Sequence, residues 1–284
     1  MVQEQWSRSN PRGPECSEIY SPLRNNFRGD RYDRGYSEGS PPEFYVQDYR
    51  GQLNRCVSMP RSVHVSGSSD GLREALEARL ERSGARLVAE PERAEVTIRI
   101  DSQEGSDIAI IPPGSRSPDS GIVIELSDVI IPNGGGKWGN AVMIDWIEKI
   151  MSGKKPDPES NIRYWVNVRD VVDAISTICL SEKENMPNGN YTMCGRRAWE
   201  MEGVTDEIRV LWDRYNNSIN HSHTIESLSE VPSPVRGLHS EIEERPDLSK
   251  LHEALIRSGG DGWHPLTPMR VSLMEMIASA NNST

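Results

Sequence analysis

Residues 63–73 read V-H-V-S-G-S-S-D-G-L-R, and an apolar stripe at helical spacing follows at once. Val63 to Val65 reads as a short strand. Leu72, Ala75, Leu76 and Leu80 then lie on one side of a helix that ends near Gly84. A strand, a serine-glycine turn and a helix are how a dinucleotide-binding unit begins, because glycines there let the backbone approach a pyrophosphate. Gly67 and Gly71 are the glycines available for this. Asp70 and Arg73, however, stand where such a loop carries glycine. A carboxylate at 70 repels phosphate from the helix end that normally attracts anions, and its plain reading is a helix N-cap.

Working outward, the runs 85–89, 96–100, 108–111 and 122–126 read as strands. The links 101–107 and 112–121 are too short or too proline-rich for the helical crossovers that parallel strands use. Either some strands therefore pair antiparallel, or one sheet face has lost its helices. Ile108 to Ile111 and Ile122 to Ile124 read as strands buried on both faces, so something must cover them: residues 1–62 or another subunit. From 133 onward helices are expected at 139–151, 170–181, 203–215, 248–257 and 268–278, with strands at 163–168 and 189–193. Asp170 and Asp173 are expected to cap or charge the second of these helices. N-G-G-G-K at 133–137 lacks the spacing of a phosphate loop and reads as a flexible link.

Residues 1–62 differ from the rest. They hold both phenylalanines, Phe27 and Phe44, and five of the eight tyrosines: Tyr20, Tyr32, Tyr36, Tyr45 and Tyr49. No periodic apolar stripe accompanies them, so the segment builds no core of its own. Tyr, Phe and Arg are interface-anchoring types, and these seven aromatics are the candidate interface residues of an extended arm. The arm's nine arginines are offset by eight acids, and the whole chain has a net charge of -11. That balance argues against direct nucleic-acid binding. No apolar run approaches the ~18 residues that span a bilayer. A soluble cytoplasmic or organellar-matrix protein is expected, touching a membrane only through a partner complex. Cys16, Cys56, Cys179 and Cys194 are too far apart in sequence to suggest a metal site.

Several segments together carry a resemblance. They are R-Y-W-V-N-V-R-D-V-V-D-A (163–174), N-G-N-Y-T-M-C-G (188–195), R-P-D-L-S-K (245–250) with G-W-H-P (262–265), and I-V-I-E-L-S-D-V-I-I-P (122–132). In this order, and with the opening loop, they resemble the extended short-chain dehydrogenase/reductases, the family of NAD-dependent nucleotide-sugar epimerases and dehydratases. The resemblance implies an α/β fold: a reduced Rossmann-like sheet with missing helices, plus a mixed α/β substrate-type region. It divides the chain into the arm at 1–62, a truncated Rossmann-like region at 63–132 and an epimerase-like region at 133–284. It also implies that Gly67, Gly71 and Glu90 would face a dinucleotide, with Glu90 at the adenosine ribose. Arg163, Arg196, Arg197, Arg245 and Lys250 would meet a substrate diphosphate.

The family's catalytic pair, a tyrosine with a lysine four residues later, is absent: no tyrosine here has lysine at that spacing. The helix that should carry it is replaced by the proline-rich 112–121 link. Glu125, Asp128 and Arg169 also depart from the family's motifs, and nothing in sequence groups His64, Asp70, Glu125 and Asp128 as acid-base residues. The expectation is a member with no catalytic residues, no metal, and NAD(P) only if the loop tolerates Asp70. It would serve as an accessory subunit of a larger protein assembly, contacted through residues 1–62 and the uncovered sheet face. The alternative is a nucleotide-sugar or dinucleotide-binding protein, including an unconventional epimerase or dehydratase.

Overall fold

The structure, a computed structural model, describes residues 45–47, 53–55, 60–222, 224–225 and 245–282. The chain divides into two compact units, Met1–Ser58 and Met59–Thr284. In the first, β1 (Tyr45–Gln47) pairs antiparallel with β2 (Leu53–Arg55), Tyr45 opposite Arg55. Of the candidate interface residues, Tyr45 opens β1, while Tyr20, Phe27, Tyr32, Tyr36, Phe44 and Tyr49 lie outside the described residues.

The second unit is built on one sheet. β3 (Ser62–Gly67), β4 (Arg86–Leu87), β5 (Val96–Ile100), β6 (Ile108–Ile111), β7 (Ile122–Leu126) and β10 (Gly189–Met193) lie in the order β10-β7-β6-β5-β3-β4, every pairing parallel. The antiparallel alternative is thereby excluded. β5, β6, β7 and β10 fall where the sequence placed them. The links 101–107 and 112–121 contain no helix. A link of that length reaches ~24 Å fully extended, more than the ~13–17 Å of strands this short, so a helix is not required for the return. The two links are also tied together: Gly121 N–H donates to Ser106 O at 3.4 Å and Ser106 N–H to Ser120 Oγ at 3.1 Å.

The sheet's two faces differ in sequence and in cover. Val63, Val65, Ile98, Ile100, Ile110, Ile124, Leu126 and Met193 form one apolar face. α1 (Gly71–Arg82), α3 (Val168–Leu180) and α5 (Ser249–Arg257) pack there through Leu72, Leu76, Leu80, Val171, Ile175, Leu251 and Leu255. The opposite face has polar flanks at His64, Thr97, Arg99, Asn190 and Thr192. Thr97 and Arg99 are held by Asp107 and Glu104 of the 101–107 link. At its centre Ala109, Ile111 and Val123 are 0–1% exposed. The three helices thus pack on one face of the sheet, as the helix-free links require, and the centre of the other face is buried.

A second core joins α2 (Asn140–Met151), α4 (Met201–Ile219) and α6 (Met269–Asn282) around Trp146, Trp165 and Trp199. Trp146 meets Trp165 edge-to-face, ring centroids 6.1 Å apart. A small ribbon links it to the sheet region: β8 (Val129–Ile130) runs parallel to β9 (Val166–Asn167). The expected strand at 163–168 shrinks to β9 plus one antiparallel bridge, Arg163 to Trp199. The N-cap of α3 is Asn167, whose side chain accepts from Arg169 N–H at 2.9 Å, rather than Asp170 or Asp173. Asp170 instead accepts from the backbone of Leu266 and Thr267, and Asp173 pairs with Arg79. Among the described residues no helix is long and apolar enough to cross a membrane.

Candidate functional site

In a doubly wound sheet, ligands sit beyond the carboxyl ends of the strands where the strand order reverses. Here that point lies between β3 and β5, whose ends are paired at Gly67 and Ile100. Gly67 has φ +98°, and a Cβ on it would stand 2.1 Å from Ile100 O. The glycine is required by the close approach of two strands, whether or not a ligand is bound.

The crevice beyond these ends is bridged by the chain's own side chains. Asp70 caps α1, its carboxylate accepting from Leu72 and Arg73 N–H at 3.2 Å. The donors that would hold an anion at this helix end are thus already engaged. Across the crevice comes the segment 131–139. The Trp138 indole donates to the Asp70 carboxylate at 3.1 Å, and Lys137 Nζ donates to Ser68 Oγ at 2.9 Å while pairing with Asp101. Gly71 lets this segment pack on the helix end: a Cβ there would meet Ile131 Cγ2 at 2.8 Å and Gly134 Cα at 3.2 Å. Buried Asn140 clamps the segment, accepting from Ile131 N–H and donating to Ile131 O and Gly135 O, each at 3.1 Å. The link at 133–137 is thus tied at Gly135 to Asn140 and at Lys137 to Ser68 and Asp101. Asn133 and Trp138 take positive φ, 59° and 62°, held there by these long-range contacts.

The remaining expected cofactor residue, Glu90, is exposed and pairs with Arg93 in the next turn. Of the acid-base candidates, His64 Nδ1 lies 3.0 Å from Val88 O, and Asp128 is occupied by Arg163 and by Tyr164 N–H at 2.8 Å. Among the described residues no group of three or more His, Cys, Asp and Glu could hold a metal ion.

The expected substrate residues are only partly brought together. A cleft of about 290 Å³ is lined by Trp165, Trp199, Arg196, Arg197 and the 265–269 turn. Arg197 lies over Trp199 at 5.5 Å, and Arg196 contacts His264 Nδ1 at 3.0 Å. Trp165 Nε1 is buried, with no hydrogen-bond partner among the described residues. Arg163 sits over the Trp165 ring at 5.8 Å but is committed to Asp128 and Glu159. Burial works against its charge, and the two carboxylates outweigh that, holding the guanidinium above its ordinary value. Arg245 is exposed, with its charge reaching the Tyr164 hydroxyl. Lys250 is elsewhere, in a groove beside β10.

No family model matches the chain, and no curated protein matches it. Solved structures do. RMD from Pseudomonas aeruginosa, in complex with NADPH, is similar at 12% identity and a TM-score of 0.50, over 80% of this chain and 99% of that one. The enzyme WbmF from Bordetella bronchiseptica, in complex with NAD+ and UDP, is similar at 11% identity and a TM-score of 0.50, over 79% and 94%. The chain has a Rossmann-like α/β fold. At these identities the likeness extends to the fold alone.

Against that fold, Asp101, Lys137 and Trp138 are the crevice residues that sequence reasoning did not single out. Their signal was a glycine run placed after a strand and before a helix, facing Gly71. That pattern marks a close backbone approach as readily as flexibility.

Proposed function

We propose that this chain is a non-catalytic protein of the epimerase/dehydratase fold that works as a structural subunit of a larger protein assembly. The observation that carries the reading is the crevice at the strand switch point, bridged by Trp138 to Asp70 and by Lys137 to Asp101 and Ser68. A nicotinamide dinucleotide of the kind bound by RMD or WbmF would have to displace these contacts and share the helix end with a carboxylate. The loss of the Tyr/Lys helix, replaced by the 112–121 link, points the same way. Residues 1–62, rich in aromatic and arginine residues, are assigned to partner contact.

A second reading, retention of a nucleotide or nucleotide sugar, is favoured by the cleft in which Arg196 and Arg197 stand beside the rings of Trp165 and Trp199. The deciding experiment is a native gel of a gentle lysate of the source, followed by calorimetric titration of the purified chain with NAD+, NADPH and UDP. The subunit reading expects migration in a large complex that is lost when residues 1–62 are removed, and no heat from the dinucleotides. Migration near 31.9 kDa overturns it. Saturable heat with UDP alone, abolished by Arg196→Ala with Arg197→Ala, favours the second reading.

A further inference from the structure

β10 is the last strand of the six-stranded sheet, and no strand among the described residues pairs with its outer side. In its parallel pairing with β7, Gly189, Tyr191 and Met193 turn their backbone groups inward, as Gly189 N–H does to Gly121 O at 2.9 Å. Asn190 and Thr192 therefore direct their N–H and C=O groups outward, and both residues are exposed. Natural sheets blunt such an edge with a charged side chain, a proline or a bulge. G-N-Y-T-M at 189–193 has no charge and no proline, and its register with β7 is unbroken.

Beside this edge lies a groove of about 460 Å³, walled by Asn188 to Tyr191 and by Lys250, Glu253 and Arg257 of α5. The helix buries Leu251, Ala254 and Leu255 in the core and turns those three charged residues along the groove. Lys250 and Arg257 make no ion pair among the described residues, and Glu253 is the single acid between them.

Resting on the subunit reading above, we infer that the β10 edge accepts an added strand from a partner protein, and that this partner segment is extended and acidic. The outward groups of Asn190 and Thr192 supply the ladder. Side chains of the added strand on the helix side would project toward Lys250 and Arg257, which selects carboxylates at alternate positions.

The probe is a fluorescent octapeptide of alternating Glu and Val, with one of alternating Lys and Val as control, read by anisotropy against the full chain. The acidic peptide is expected to bind saturably and the basic one not. Thr192→Pro removes an outward N–H and leaves the β7 ladder intact. It and the double change Lys250→Glu with Arg257→Glu are each expected to weaken binding by at least about tenfold. The double change lies on the solvent side of α5 and decides the matter if the proline variant fails to fold. No binding of the acidic peptide, equal binding of both peptides, or indifference to the variants overturns the inference. A native gel separates the two claims. A large complex that persists with these variants removes the edge and leaves the subunit reading standing, whereas a wild-type chain that runs alone removes that reading itself.

Discussion

The indole Nε1 of Trp138 donates to the Asp70 carboxylate at 3.1 Å, joining two residues 68 positions apart across the carboxyl end of the sheet. Asp70 accepts from the first turn of α1 with one oxygen and from Trp138 and Ser68 with the other. One carboxylate thus ends a helix and anchors the segment that crosses the crevice.

Removing either partner should cost different amounts. Trp138 is 4% exposed and belongs to the main core, so Trp138→Ala is expected to lower stability by about 3–5 kcal/mol. Asp70→Ala loses a cap and leaves the indole N–H unpaired, about 1–2 kcal/mol. Urea denaturation measures both. A Trp138→Ala loss no larger than that of Asp70→Ala would mean that 131–139 is not held as described.

Arg163 offers a sharper division between a ligand group and a structural one. It pairs with Asp128 and Glu159 with side-chain exposures of 21, 12 and 19%. Breaking a buried pair costs about 3–5 kcal/mol, and partial solvent access here reduces that to about 1–3 kcal/mol for Arg163→Ala. Arg196 is exposed and, among the described residues, makes only the His264 contact, so Arg196→Ala is expected to change stability by less than about 0.5 kcal/mol. Equal losses in a denaturant titration would contradict the assignment of Arg163 to the framework.

The contrast between these residues shows what was legible in the sequence. β5, β6, β7 and β10 were readable because local β-branched runs and turn residues marked their ends, and the helices because their apolar spacing is local. Asp70 as a cap was readable for the same reason. The order of 131–139 was not, since it depends on Asn140, Asp70, Asp101 and Ser279, three of them remote in sequence. At α3 the cap is Asn167, while Asp170 charges the first turn as one of the two expected alternatives and also accepts from the backbone of Leu266 and Thr267, which only the folded chain brings near. Arg163 was singled out by motif alone; its pairing with Asp128, 35 positions away, is a tertiary fact that no local pattern marks.

Cys179 and Cys194 are buried free thiols, and burial pushes both up to about 12. A thiol so far above its ordinary value is almost wholly protonated at neutral pH and unreactive. In a Cys16→Ser, Cys56→Ser variant, Ellman's reagent at mildly alkaline pH is expected to find no thiol in the folded chain and both after denaturation. Rapid reaction of either in the folded state would show that the core around α3 or β10 opens readily.

Ser62 and Glu95 tie the amino ends of β3 and β5 together. Ser62 N–H donates to Glu95 Oε2 at 2.7 Å, and Glu95 N–H returns a bond to Ser62 Oγ at 3.1 Å. The Ser62 N–H holds the Glu95 carboxyl below its ordinary value; burial opposes it, and the Ser62 hydroxyl, Arg61 and Arg86 add to the lowering. The folded state therefore binds fewer protons than the unfolded chain as pH falls through the carboxylate range. The stabilisation is fully present above the ordinary glutamate value, about 4.3, and is lost as pH drops through the lower folded value. Glu95→Gln is expected to be less stable than wild type at neutral pH, with the gap closing steadily in acid. Urea midpoints at several pH values between neutrality and strong acid follow that gap; a gap that stays constant would mean the Ser62 bonds do not depend on the charge of Glu95.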